Sequence, residues 1–441
     1  MDRKKRYAVV GTGGRASMYI DPLAVRFRDA GELVALCDVN PTRLEHHQDR
    51  LKHEFEYPDV PAFHADEFDS MIEKTKPDTV IVTTVDALHH KYVIRAMELG
   101  CDAITEKPMT TDAEKCRAIL DTVHRTGRTL RVAFNYRWAP GATAVHNVID
   151  EGVIGDIIHV DLEYMLNTSH GADYFRRWHR EKDKSGGLIV HKSTHHFDLV
   201  NWWIDAVPET VFGMGRLAYY GRENAERRGV SVKYDRYTGN DTSDDPFAID
   251  LGADEKLKGL YLDAEKDDGY IRDRNVFGDN ITIEDTMSVL VRYRTGVVLN
   301  YSLNAYLPRE GFQVSFNGTK GRIEYQEIHS SNIVAGASKR GAPESGLGSR
   351  LMVYPTFGDV YEVDIEEAEG GHGGGDPLLQ SQMFSRDASP DPLGRDAGEG
   401  QGAASVLIGI AANSSFESGE TVRIGEICPQ LGDAAHLSEL T

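Results

Sequence analysis

Residues 7–16 read YAVVGTGGRA, and this stretch decides the fold. Tyr7–Val10 is a short apolar run that stops at Gly11, Gly13 and Gly14. A strand that turns through glycines into a helix is the phosphate-binding turn of a dinucleotide site. Gly11 permits the tight turn, Gly13 lets the backbone approach a pyrophosphate, and Ala16 permits close packing of helix on strand. The helix N-terminus adds unpaired N–H groups and a positive dipole end. Leu33–Cys37 reads as the second strand and ends at Asp38, 22 residues beyond Ala16. A carboxylate there binds a ribose 2′-OH and repels a 2′-phosphate, which favours NAD over NADP. Arg15 and Arg43 are the nearby cations that weigh the other way.

The pattern continues outward from this turn. The sequence predicts helices over Asp21–Ala30, Pro41–Gln48, His90–Leu99 and Ala113–Thr126, the last two closed by Gly100 and Gly127. Between them lie strand-like runs at Thr79–Thr83, Asp102–Thr105 and Thr129–Phe134. Strands alternating with helices make a doubly wound parallel sheet, so residues 1–137 are expected to form a Rossmann domain. Residues 138–441 read as a second, α+β domain with a large open mixed or antiparallel sheet. Its strands are expected at Ile157–Met165, Met287–Tyr293, Val297–Asn304, Phe312–Asn317 and Gly321–Tyr325. The Arg294-Thr295-Gly296 link suits a hairpin. One continuous helix is expected over Leu188–Trp203 and a buried one over Gln401–Glu417. Two stretches, about 220–280 and 330–349, read as polar insertions of the sort that cover or build a site.

Composition sets the outer limits. With 441 residues the chain exceeds one compact core. The formal net charge of −21 argues against nucleic acid and anionic membrane as partners. The four cysteines, Cys37, Cys101, Cys116 and Cys428, form no Cys-x-x-Cys pair, so a reduced, cytoplasmic setting is expected. The basic start is followed by too short an apolar run for a signal peptide, and no stretch approaches a membrane span.

Several further motifs carry chemistry: TTVDALHHKYVIRAMELGCDAITEKPMT at 83–110, FNYRW at 134–138, GGLIVHKSTHHFDLVNWW at 186–203 and FNGTKGRIE at 316–324. On these, with VVGTGGRA, the chain resembles the glucose–fructose oxidoreductase, inositol dehydrogenase and MocA (Gfo/Idh/MocA) family over nearly its whole length. Glu106-Lys107-Pro108 matches that family's signature, and His89 falls where its members hold a histidine near the nicotinamide. The resemblance implies a cofactor set of Gly11, Gly13, Gly14, Arg15, Ala16, Asp38, Thr84, His89, Glu106 and Lys107. It also implies a small-molecule carbohydrate substrate and a homodimer or homotetramer.

Lys107 has a case of its own. It follows a buried-type strand at the carboxyl end, where ligands bind in open α/β sheets. Pro108 restricts it to extended geometry, and its ammonium suits developing alkoxide charge. On a helix, residues three and four apart share a face, so His191, His195, Asp198 and Trp202 are expected on one stripe. His195 and Asp198 match the family's histidine and later aspartate. His191 replaces its first aspartate, with Lys192 alongside, and this departure leaves the acid–base assignment open. His195 is the expected general base, Lys107 polarises the same oxygen, and His191 and Lys192 bind neighbouring hydroxyls or share the proton. Tyr136, Arg137, Trp178 and His372 are further candidates for the substrate cleft.

Four readings follow. The first is an NAD(P)-dependent dehydrogenase acting on a secondary hydroxyl of a sugar, glycoside or cyclitol. The second is a redox glycosidase that oxidises, eliminates and reduces with no net redox change. A metal-dependent hydrolase built on His191, His195 and Asp198 is opposed by the cation Lys192, and no metal is expected. A non-catalytic NAD-binding regulator is opposed by the presence of both Lys107 and His195.

Overall fold

The computed structural model describes residues 3–330, 348–366 and 373–440. Among these residues the strands form two sheets, of seven and nine strands. The first sheet takes β1 (Lys5–Val10), β2 (Gly31–Asp38), β3 (Ala62–His64), β4 (Thr79–Val82), β5 (Asp102–Thr105) and β6 (Leu130–Val132). Their order, β6-β5-β4-β1-β2-β3, is parallel throughout, as the alternating pattern requires. The strand residues of β4, TVIV, are buried on both faces because helices cover both sides.

The first helix departs from expectation. α1 spans Ser17–Ala24, not Asp21–Ala30, and follows a 3₁₀ turn at Gly14–Ala16. The glycine turn feeds the helix directly, so no residues are left for a loop. Pro22 sits inside α1 and brings no N–H for the Met18 carbonyl one turn back. The Gln380 side-chain amide donates to that carbonyl at 3.0 Å. Gln380 belongs to the helix Gly375–Phe384, which packs on α1 from far along the chain. The helices α2 (Pro41–His53), α3 (Phe68–Thr75), α4 (His89–Glu98) and α5 (Ala113–Thr126) complete the two layers. Asn40 and Asp112 cap α2 and α5 through backbone N–H groups of Arg43 and Lys115.

The second sheet contains β7 (Ile157–Asn167), β8 (Pro208–Arg216), β9 (Thr286–Tyr293), β10 (Val298–Leu307), β11 (Glu310–Gly318), β12 (Gly321–Ser330), β13 (Gly348–Pro355) and β14 (Tyr361–Val363). Pairing is antiparallel except for β7 with β10, so the sheet is mixed. Met287, Val289, Val291 and Tyr293 of β9 are buried while Ser288, Leu290 and Arg292 face solvent, the two-residue period of a half-covered sheet. The helix Glu399–Ser418 covers the inner face, and Gly409 allows it to touch Ile189 backbone, where a Cβ would meet Ile189 O at 2.4 Å.

β15 (Ala397–Gly398) adds a seventh strand, antiparallel, beside β6 of the first sheet. β16 (Val422–Arg423) closes the second sheet against β8. The late chain therefore stitches both sheets together.

The expected single helix at 188–203 is two pieces, Leu188–His191 and Thr194–Trp203, separated at Lys192-Ser193. Every residue from 188 to 203 is buried, so the apolar pattern carries no sign of the break. His191 therefore ends one helical segment while His195 and Asp198 lie in the next, so the four residues do not share one continuous helix.

Candidate active site

A cavity of about 480 Å³ opens where the carboxyl ends of β1, β2, β4 and β5 meet the second sheet's helices. This is the position at which open α/β sheets bind ligands. At one end stands the glycine turn. Gly11 has φ +88°, and a Cβ there would lie 2.6 Å from the Thr84 backbone nitrogen. Glycine is required by both the backbone angle and the close approach. Asp38 accepts from the Thr12 backbone N–H at 2.5 Å, Thr12 Oγ1 at 3.1 Å and the Asn40 N–H at 2.9 Å. These bonds fix its carboxylate at the cavity edge. Ala16 is fully buried between helix and sheet.

The two cations that weighed against NAD are both matched by carboxylates. Arg15 Nε donates to Glu106 at 2.5 Å. Arg43 lies 2.9 Å from Asp268 and 3.8 Å from Asp38. Glu106 is buried and also accepts from Tyr19 Oη at 2.8 Å. Burial raises its pKa, but Arg15 and Lys107 outweigh this and hold it below the usual carboxylate value. His89 sits between the Pro108 carbonyl at 2.8 Å and the Thr84 carbonyl at 3.1 Å, tying the β4 and β5 loops together.

The other end holds titratable groups. Lys107 Nζ lies 3.5 Å from His191 Nε2 and donates to the His191 carbonyl at 3.3 Å. His191 Nδ1 is 2.5 Å from Asp86 Oδ2. All three side chains line the cavity. Burial, and next the Lys107 charge, holds the His191 pKa well below the ordinary imidazole value. Burial pulls Lys107 down to about 8, against the opposing pull of Glu106 and Asp86. Burial raises the Asp86 carboxyl, and Lys107 opposes that rise. His191 thus stands between the Asp86 carboxyl at Nδ1 and the Lys107 amine at Nε2, on the cavity wall.

His195 lies behind this group and outside the cavity lining, stacked on Tyr136 with ring centroids 4.6 Å apart. Lys192 is also buried, 4.9 Å from the Tyr164 ring centroid and 5.6 Å from that of Tyr136. Burial lowers its pKa to about 8, with Glu310 and Glu327 pulling upward. His170 and His329 bind these carboxylates at 2.7 Å each. Trp178 lines the cavity and stacks on His179 at 3.6 Å.

Arg137 is not a cleft residue. It is fully buried and makes a two-pronged pair with Asp198 at 2.7 and 2.6 Å, plus a bond to Gln401 at 2.6 Å. A guanidinium with its donors so satisfied is part of the core. His372 falls outside the described residues. Among the described residues no group of three His, Cys, Asp or Glu side chains is arranged to hold a metal ion, and no helix is long and apolar enough to cross a membrane.

Sequence reasoning passed over Asp86, Tyr174, His179, Tyr261, Asp268 and Tyr270, all of which line the cavity. Asp86 stood inside a quoted motif, three residues before His89, and its position after a buried strand was the available signal. The others come from beyond residue 138 and carry no local signature.

The glycine turn, Asp38 and a cavity at the strand ends define a dinucleotide-binding oxidoreductase fold. Two family models agree. One, "Oxidoreductase family, NAD-binding Rossmann fold", matches residues 5–134. The other, "Oxidoreductase family, C-terminal alpha/beta domain", matches residues 147–424. The chain belongs to the Gfo/Idh/MocA oxidoreductase family. It is 37% identical over 418 residues to YteT of Bacillus subtilis, named as an oxidoreductase, covering 92% of this chain and 94% of that one. It is 27% identical over 214 residues to an inositol 2-dehydrogenase of Rubrobacter xylanophilus, covering 47% and 54%. It is 26% identical over 196 residues to a glycosyl hydrolase family 109 protein of Akkermansia muciniphila, covering 43% and 40%.

Proposed function

We propose that the chain is an NAD-dependent oxidoreductase that moves hydride between nicotinamide and a secondary hydroxyl of a sugar, glycoside or cyclitol. The observation that carries this reading is the line Asp86–His191–Lys107 on the wall of a dinucleotide-type cavity. The inositol dehydrogenase relative supports a polyhydroxylated substrate. NAD is favoured over NADP because Asp38 is anchored at the ribose position and Arg43 is matched by Asp268.

Bound NAD supplies the hydride acceptor. The protein's residues supply the proton chemistry. His191 Nε2 takes the hydroxyl proton, and the resulting imidazolium is stabilised by Asp86 at Nδ1. The Lys107 ammonium stabilises the oxygen as negative charge develops on it. The general-base role thus moves from His195 to His191, because His191 lines the cavity and His195 does not. His195, with Tyr136 and Lys192, backs the wall.

The test is absorbance at the reduced-nicotinamide band, with NAD and a panel of sugars, cyclitols and aryl glycosides. Reduction with one class establishes the activity and its substrate. The absence of nicotinamide reduction and of aglycone release across the panel counts against the reading. The redox glycosidase remains a second reading, favoured by the glycosyl hydrolase relative. Aglycone release without accumulation of NADH is its signature.

A further inference from the structure

We infer that residues 258–268, from the polar insertion of the second half, are a strap that slows release of the coenzyme. The inference rests on the nicotinamide-dinucleotide reading above and concerns how the coenzyme is kept. The Gly14 N–H, which a phosphate-binding turn offers to its ligand, donates to Tyr261 Oη at 3.0 Å. A phenol oxygen thus stands at the mouth of the turn. A Cβ on Gly14 would lie 3.0 Å from that oxygen, so the fit is close on both sides.

The strap is fastened to the nucleotide-binding part at points just after Asp38. The buried Asn40 amide donates to the Ala264 carbonyl at 2.9 Å. Arg43 Nε donates to the Leu260 carbonyl at 3.1 Å, and its guanidinium pairs with Asp268 at 2.9 Å. Gly259 packs so tightly on α2 that a Cβ would meet His46 Nδ1 at 2.8 Å. Leu260 and Ala264 are fully buried. On its other side the strap is tied to its own insertion by Arg236, which holds Glu265 at 2.7 Å and Asp273 at 2.7 Å.

These contacts bridge the glycine turn and the helix after Asp38, the two elements between which an adenosine diphosphate moiety lies in such sites. A nucleotide there leaves only when Tyr261 and Asp268 are displaced, so exchange is limited by strap opening rather than by diffusion.

The experiment uses the purified full chain. Bound nucleotide is released by heat and counted, and exchange is followed by loading NADH and chasing its fluorescence with excess NAD. The expected result is close to one nucleotide per chain on purification and slow exchange. Tyr261→Phe, which removes one hydroxyl, and the double change Tyr261→Ala/Asp268→Ala should accelerate release, the latter by roughly 10- to 30-fold. A wild-type chain that binds NADH yet releases it as fast as both variants overturns the strap and leaves the oxidoreductase reading standing. A chain that takes up neither NAD nor NADH overturns both.

Discussion

Two buried groups of charge stand near the cavity, each joining a cation to a carboxylate, and they are built differently. In the core, Arg137 meets Asp198 through two short bonds, while Gln401 takes a third and Ser405 bonds Asp198 at 3.0 Å. On the wall, Lys107 Nζ meets His191 at 3.5 and 3.3 Å and no other hydrogen-bond partner among the described residues, and the carboxylate Asp86 lies on the far side of that ring. The first arrangement satisfies its charges within the protein. The second leaves a lysine and an imidazole with depressed pKa values facing space. A buried charge with matched geometry fixes structure, whereas one left partly unmatched is available for proton transfer.

Four measurements test this contrast. Arg137→Ala leaves Asp198 buried without its partner, so stability should fall by about 3–5 kcal/mol. Denaturant unfolding checks this, and a loss below 1 kcal/mol would place Arg137 with the chemical group instead. Lys107→Ala should lower kcat by about 10²- to 10³-fold with nicotinamide binding retained. In the wild type, Lys107 must be charged to act, so activity should decline as pH rises through about 8. A profile flat to pH 10 removes the lysine from the charged role.

The third measurement sets the two histidines against each other. His191→Ala should cost about 10²-fold in kcat. Asp86→Asn should cost less and shift the acid limb of the pH profile, because the imidazolium loses its carboxylate. His195→Ala should cost less than either. A larger loss at His195 than at His191 returns the base role to His195. The smallest effect belongs to the nucleotide end, where Asp38→Ala should weaken NAD by about tenfold and reduce discrimination against NADP, read by binding titration.

The sequence made the nucleotide half readable because its signals are local. A turn of glycines, an acidic residue at the next strand's end and a lysine after a buried strand each occupy a few consecutive residues. The alternation of strands and helices follows from the same short-range pattern. Of the proposed catalytic wall, Lys107 and His191 were legible, but Asp86 and the pairings were not. His191 and Asp86 are separated by 105 residues, and Arg137 and Asp198 by 61. Arg137 looked like a cleft residue because its partner was assigned to another role. The break at Lys192-Ser193 was hidden by burial on all sides, which removes the polar face that marks a helix's orientation. Tyr261 reaches Gly14 across 247 residues, and nothing near either residue signals the other.

The proline inside α1 has a consequence for how the molecule is made. Met18's carbonyl is satisfied by Gln380, and the open edge of β6 is covered by Ala397–Gly398. Both partners emerge from the ribosome long after the glycine turn has been synthesised. The nucleotide-binding half therefore waits, with one helix under-bonded and one sheet edge exposed, until the last fifth of the chain arrives. A fragment ending near residue 137 lacks both the amide and the strand, and its first helix and last strand are where it should fray and aggregate.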